Sequence, residues 1–340
     1  METRASKKRA NTNQQPPHVI VPKRQRVVLG EFPDLNLPDF DYQPTQKLQC
    51  PKNPNLNKSI STLPFLNSNL DKPYVSDIFD YLQTMEKKRR PMFGYMENVQ
   101  RGITSNMRGT LVDWLVEVAD EYTLLPETLH LSVSYIDRFL SNQPIIRSKL
   151  QLLGVSSMLI ASKYEEITPP KAIDFCQITD NTYDLDEVLK MEADILKTLN
   201  FEMGNPNVIT FLKSFVGIAS ENQKTSNLQF EYLCNYLADI SLLDYECIRF
   251  MPSIVAASVI FLARFILRPG VHPWTSSLCE CLGYKSAELE ECVMILHDLY
   301  LSRRAASFKA VREKYKQQKF KYVANLPSSP EIPNYYFEED

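Results

Sequence analysis

At 340 residues and 44% hydrophobic content, the chain has length for about two domains and apolar material for sizeable cores. Only 9 glycines against 22 prolines leave few residues for the tight turns of a β-rich fold, which points to helices. Residues 1–70 hold ten Lys/Arg against five Asp/Glu, so a chain of net charge −3 carries −8 over residues 71–340; that balance argues against a nucleic-acid partner for the folded part.

In chain order, residues 1–70 are rich in Asn, Gln, Pro and Ser and lack helical periodicity, so they are expected to form a disordered regulatory tail. The first folded unit is expected over 71–203. It opens with a helix started by Pro73, with Ile78, Phe79, Leu82 and Met85 at helical spacing, up to the charged stop Lys87-Lys88-Arg89-Arg90. Five helices follow near 105–124, 126–141, 147–165, 171–178 and 184–199, with Ser105 and Asp184 as caps and Thr168-Pro169-Pro170 as a break. The second unit, 204–323, is expected to hold helices near 206–219, 225–244, 250–267, 273–282 and 286–302, then a helical stretch at 305–317. Asn205-Pro206 opens the first of these, and Ser286 with Glu288 the last. Residues 324–340 read as a polar C-terminal tail. Each block contains one helix apolar on nearly every side and crowded with small residues, Leu153–Tyr164 and Ser253–Phe265. A helix of that kind is buried by its neighbours, so the expected fold is all-α, two five-helix bundles each wrapped round one such helix.

The chain offers no enzyme constellation: no Gly-rich phosphate loop, no GxSxG and no HExxH. Its four histidines (18, 130, 272, 297) are scattered. Cys279-Glu280-Cys281, with His272 and His297 nearby, is a weak zinc pattern against the simpler reading of structural thiols, so no cofactor or metal is expected. Glu165 and Glu166 are neighbours on a helix and point apart, as helix-end charges do. Seven cysteines, an odd number, and no secretory signal read as a reduced intracellular protein. The apolar run Ile254–Ala263 ends at Arg264, too short to span a bilayer, so no membrane partner is expected.

Met107–Leu140 reads MRGTLVDWLVEVADEYTLLPETLHLSVSYIDRFL, followed by LQLLGVSSMLIASKYEEITPP at Leu150–Pro170 and LKMEADILKTLNF at Leu189–Phe201. These strings, in this order, resemble the cyclin box; the resemblance runs from about Tyr74 to Val323. The MRxxLxDWLxEV and ASKxEE strings are each highly specific. Gly109-Thr110 stands where the family usually has Ala and an aliphatic residue, which resembles the plant branch of A-type (mitotic) cyclins.

The resemblance implies two tandem cyclin folds in a non-catalytic subunit that activates a cyclin-dependent Ser/Thr kinase and helps recruit substrates, controlling S phase and G2–M. Lys163 and Glu192 would then bond kinase backbone near its PSTAIRE helix, with Ile160, Tyr164, Leu196 and Phe201 as apolar contact area; an intrachain salt bridge between the two charges is the alternative. Met107, Leu111 and Trp114 share one helix face by spacing. They are either core or, with Glu117 and Gln151, the family's groove for Arg-x-Leu peptides of substrates and inhibitors, and Thr110 would weaken its apolar wall. Arg108 and Asp137 form an internal pair in the family. In the tail, Arg26 and Leu29 resemble a destruction box read by ubiquitin-ligase machinery. Lys7, Lys8, Arg9, Lys23 and Arg24 form basic clusters consistent with nuclear import. Ser329-Pro330 is a candidate phosphosite. Two rivals are disfavoured: a DNA-gripping double cyclin fold predicts a basic body and N-terminal Cys pairs, and a transcriptional cyclin would not be expected to carry the RxxL leader and the intact MRxxL string.

Overall fold

The computed structural model describes residues 74–220 and 228–338. The tail expectations, including Lys7, Lys8, Arg9, Lys23, Arg24, Arg26 and Leu29, lie outside the described residues, as do Pro73 and the start of the 225–244 helix. Among the described residues the regular elements are helices and 3-10 turns, the helices being α1 (Val75–Lys88), α2 (Tyr95–Asn98), α3 (Ser105–Glu121), α4 (Pro126–Asn142), α5 (Leu150–Glu165), α6 (Ala172–Ile178) and α7 (Leu185–Thr198), then α8 (Val208–Ser220), α9 (Leu228–Ser241), α10 (Pro252–Leu267), α11 (Ser276–Leu282), α12 (Ser286–Tyr300) and α13 (Ala310–Tyr315). Among the described residues, no helix is long and apolar enough to cross a membrane.

The two small-residue helices sit where their composition sends them. In the first bundle α5 packs against α3, α4, α6 and α7; in the second α10 packs against α8, α9 and α12. Gly154 on α5 shows why small residues are needed, because a Cβ there would press into the Leu111 side chain of α3. Such helices turn composition directly into topology: whatever surrounds them must come close on every side.

Most helix starts fall within two residues of expectation, but the helix expected from 147 begins at Leu150 after a 3-10 turn, that from 273 at Ser276 and that from 305 at Ala310. Thr104, not Ser105, caps α3, its Oγ1 accepting from Met107 N at 3.3 Å. Asp184 caps α7 as expected, reciprocated by Glu187. Asn205-Pro206 does not open α8: Asn207 does, accepting from Thr210 N at 3.1 Å. Asn205 is instead a linker clamp, donating to Ser134 Oγ at 2.8 Å and accepting from Arg138 at 3.2 Å. Several Asx and Ser/Thr residues in a row all satisfy the capping preference, so only the turn geometry chooses among them.

Long-range polar contacts join the bundles. Phe79 of α1 meets Phe211 edge-on at 6.1 Å, and buried Glu86 accepts from Ser253 N (3.0 Å) and Oγ (2.7 Å) at the first turn of α10. Arg90, expected only as part of a charged stop, donates to Ile248 O and Arg249 O at 3.0 and 2.8 Å. A fully buried carboxylate, Asp239 of α9, accepts from Lys314 Nζ and Tyr315 OH at 2.9 Å each and faces His130 Nε2 of α4 at 3.1 Å. Burial alone would push its pKa up, but Lys314 and His130 outweigh that and hold it well below the usual carboxylate range.

The chain then returns to the first bundle. Asp113 of α3 accepts from Lys309 N at 3.0 Å and Ala310 N at 2.9 Å, capping α13, and the end of the Phe308 ring reaches Gly109, where a Cβ would overlap it. Residues 324–338, read from sequence as a polar tail, form a strap with buried Ile332, Tyr336 and Phe337, the last stacked on Phe261 at 5.0 Å. Three scattered apolar side chains without helical spacing left no periodic signal to find.

Candidate functional site

Three groups of residues singled out in the sequence fall on the first bundle. At the end of α5, Lys163 Nζ meets Glu192 Oε1 of α7 at 2.6 Å. Lys163 is 47% exposed and Glu192 14%, so the pair stands at the surface and the cost of burying a charge does not force it. An exposed ion pair contributes about 0–1 kcal/mol, too little to explain it as a stability device.

Large exposed apolar side chains follow the two charges in the chain: Tyr164 at 57%, Ile167 fully exposed and, past the end of α7, Phe201 at 68%. Leu196 is half-buried, while Ile160 is buried in the core and presents only an edge. Phe201 is thrown outward by the turn after α7, where Asn200 and Phe201 both take positive φ (53° and 57°) and Phe201 N bonds Leu196 O at 2.9 Å. A non-glycine aromatic in the left-handed region is strained, and such strain gathers where a side chain must be presented rather than packed. Tyr81 and Met85 of α1 join Tyr164, Phe201 and Met203 round a groove of about 610 Å³. Sequence reading missed Ile167 and Tyr81. Ile167's signal was a lone apolar residue in the Glu-Glu-Ile-Thr-Pro-Pro turn.

Of the neighbouring acids, Glu166 accepts from Leu125 N (2.8 Å) and Thr128 Oγ1 (2.6 Å) at the start of α4, the helix-end role expected of it.

On α3 the second group divides. Leu111 is core, wedged on Gly154; Met107 and Trp114 are half-buried, packed on the core with edges outward, and Glu117 and Gln151 are half-buried beside them. Trp114 Nε1 is enclosed without a hydrogen-bond acceptor. Thr110 is exposed on the same side, its hydroxyl donating to Asn106 O at 2.9 Å. That bond commits the hydroxyl proton to the helix and softens the polarity Thr110 adds to this face.

The third group is internal. Arg108 and Asp137 form a two-point pair (Nε–Oδ1 2.8 Å, Nη2–Oδ2 2.6 Å), both nearly inaccessible, and Tyr95 OH donates to the same Oδ1 at 2.8 Å. Arg108 also reaches Leu242 O in the second bundle. Burial lowers the guanidinium pKa, and Asp137 more than reverses this, so Arg108 stays charged. Tyr95 had no signal in the sequence: it sits on one turn of helix entered through Gly94, at a left-handed φ of 84°.

The suggested Cys/His cluster does not form: His297 lies under Ser328 and Ser329, and His272 Nδ1 accepts from Trp274 N at 3.2 Å. Among the described residues, no group of His, Cys, Asp or Glu could hold a metal.

Two packed helical bundles stand in tandem, the first with exposed apolar side chains and a surface ion pair. The chain matches the family "Cyclin, N-terminal domain" over residues 77–204 and "Cyclin, C-terminal domain" over 206–329. It belongs to the cyclin family, and is a regulatory subunit rather than a catalyst. It is 54% identical over 325 residues to putative cyclin-A3-1 of Arabidopsis thaliana, covering 93% of this chain and 90% of that one. It is 60% identical over 268 residues to the G2/mitotic-specific cyclin C13-1 of Daucus carota, covering 78% of each. These relatives bear out the A-type, plant-branch character. Among solved structures, a viral cyclin from herpesvirus saimiri superposes with TM-score 0.59 at 19% identity, over 65% of this chain and 96% of that one, a likeness of fold.

Proposed function

We propose that this cyclin docks on a cyclin-dependent Ser/Thr kinase through the Lys163–Glu192 face and biases the kinase's PSTAIRE-type helix towards its active position. The observation that carries this reading is a set of exposed apolar side chains at or just beyond the ends of α5 and α7, Tyr164, Ile167 and Phe201, on the two helices that also carry a surface ion pair. Exposed apolar clusters of this kind mark partner surfaces. The pair itself holds the Lys163 ammonium in place while leaving donors for backbone carbonyls of the partner. Binding free energy that favours one of two kinase arrangements shifts the population, and the cyclin performs no chemistry.

The α3 face with Met107, Trp114, Glu117 and Gln151 is assigned the second role, holding Arg-x-Leu segments of substrates and inhibitors. Trp114 and Met107 supply the apolar contact and Glu117 the charge for arginine. Timing at G2–M draws support from the relative named G2/mitotic-specific, and a role in S phase rests on the A-type resemblance alone. Nuclear residence through the basic clusters, and turnover by ubiquitin-ligase machinery through Arg26 and Leu29, complete the proposal from the motifs alone.

Replacing both Lys163 and Glu192 by Ala should abolish co-purification with the kinase and leave the helical circular-dichroism signal intact. Loss of helicity together with binding would make the pair structural instead. Met107→Ala with Trp114→Ala should raise the Michaelis constant for Arg-x-Leu substrates only; equal loss on a short peptide without that motif would sink the groove.

A further inference from the structure

The strap after α13 is fastened at both ends. Tyr300 OH donates to Leu326 O at 2.6 Å upstream; downstream Tyr336 OH donates to Pro269 O at 3.0 Å and Phe337 stacks on Phe261. Between these anchors Ser329, Pro330 and Glu331 cross the surface in irregular, exposed backbone. Two groups of α12 and the turn after it hold this stretch from beneath. His297 Nε2 lies 3.2 Å from Ser328 Oγ and 3.0 Å from Ser329 O. Arg303 donates to Pro330 O at 2.6 Å, its other arm resting on Asp298 Oδ1 at 3.2 Å, and it remains 47% exposed.

We propose that Ser329 is a modification site for a proline-directed Ser/Thr protein kinase, and that Arg303 receives the phosphate and tightens the strap. A proline at the next position has no N–H and holds extended backbone, the feature such kinases select. The chain contains two Ser/Thr-Pro pairs, Thr168-Pro169 and Ser329-Pro330. Thr168 follows Glu165 and Glu166, whose carboxylates repel added negative charge. Ser329 has one carboxylate nearby in the chain, Glu331, but also a guanidinium already bonded to the carbonyl of its neighbour. Lifting residues 328–330 towards a kinase breaks a few surface hydrogen bonds while the buried anchors stay seated, a local opening of low cost.

In the transfer, Ser329 Oγ attacks the γ-phosphorus of MgATP. The Oγ–P bond forms as the bond from the β–γ bridging oxygen breaks, ADP leaves, and the hydroxyl proton passes to the kinase's base. The product carries about −1.5 to −2 charge and three strong acceptors. Arg303 then exchanges its single contact with Asp298 for a two-point contact with the phosphate. Nothing here depends on the cyclin's own role as activator, because the phosphorylating enzyme is supplied in the test.

Full-length protein is treated with a purified proline-directed kinase and MgATP, mapped by peptide mass spectrometry, and compared with untreated protein by hydrogen exchange over residues 326–332. The expected result is phosphate on Ser329, none at that position in Ser329→Ala, and exchange slowed roughly tenfold, the equivalent of one charge-assisted hydrogen bond. Arg303→Gln should accept phosphate without the slowing, and Asp298→Asn, which frees Arg303, should deepen it. Absence of phosphate on Ser329 under conditions in which the same kinase fully labels a short Ser-Pro peptide overturns the site. A phosphorylated strap that exchanges as fast as before, or that is still slowed in Arg303→Gln, overturns the receiving role of Arg303.

Discussion

Replacing Asp137 by Ala should destabilise the protein by about 3–5 kcal/mol, because it leaves the buried Arg108 guanidinium without its carboxylate. The figure follows from the geometry. Both side chains are nearly inaccessible, two hydrogen bonds join them, and Tyr95 loses its acceptor as well. Against a typical total of about 5–15 kcal/mol, that loss is large enough to move a urea midpoint plainly. The double variant, Arg108→Met with Asp137→Leu, separates the charge from the packing: it removes both ions while keeping volume. It should recover much of the loss, since apolar replacement of a buried pair is often neutral, less whatever the Arg108 contact with Leu242 O contributes. Urea unfolding followed by circular dichroism gives both numbers. A single variant costing under about 1 kcal/mol, or a double variant costing the sum of the two singles, would refute the reasoning.

Gly109→Ala should destabilise by about 1–3 kcal/mol through overlap with the Phe308 ring, and Phe308→Leu should restore part of that in the double variant; thermal melts decide it. Asp239 has its pKa lowered by Lys314 and His130 against the effect of burial. A lowered carboxylate contributes stability present above its unfolded pKa, about 3.9, and lost as pH falls below it. Asp239→Asn should therefore weaken the protein at neutral pH and flatten the loss of stability below about pH 4, read from urea midpoints across pH. Phe337→Ala should cost about 3 kcal/mol by opening the stack on Phe261, a loss no free polar tail would show.

What the sequence made legible was local or compositional. The small-residue centres of α5 and α10 were visible because a helix without a polar face has one place to go. Lys163 and Glu192, Arg108 and Asp137 came from recognisable strings, and the structure brings each pair together. What stayed hidden joins residues far apart in the chain: Glu86 to Ser253, Asp239 to Lys314, Asp113 to Ala310. No local propensity encodes such a partner, since each carboxylate alone looks like ordinary solvated charge. The strap failed differently: its anchors Ile332, Tyr336 and Phe337 follow no period, and polar neighbours dominate the composition.

These hidden contacts bear on the helix that carries the proposed peptide groove. α3 is gripped on three sides: Arg108 is tied to Asp137 and Leu242, Leu111 is wedged on Gly154, and Gly109 and Asp113 seat Phe308 and the start of α13. Met107, Thr110, Trp114 and Glu117 are left at or near the surface on a helix fixed from behind. A shallow site for a short, flexible peptide gains affinity chiefly by losing little order of its own on binding. The substitution of Gly and Thr at 109 and 110 is then two separate events. Gly109 answers the C-terminal segment behind the helix, and Thr110, its proton already given to Asn106 O, alters the front. Fixing the back by close packing is what lets the front vary without loosening the helix, so differences in peptide preference between such cyclins should map to positions like 110 rather than 109.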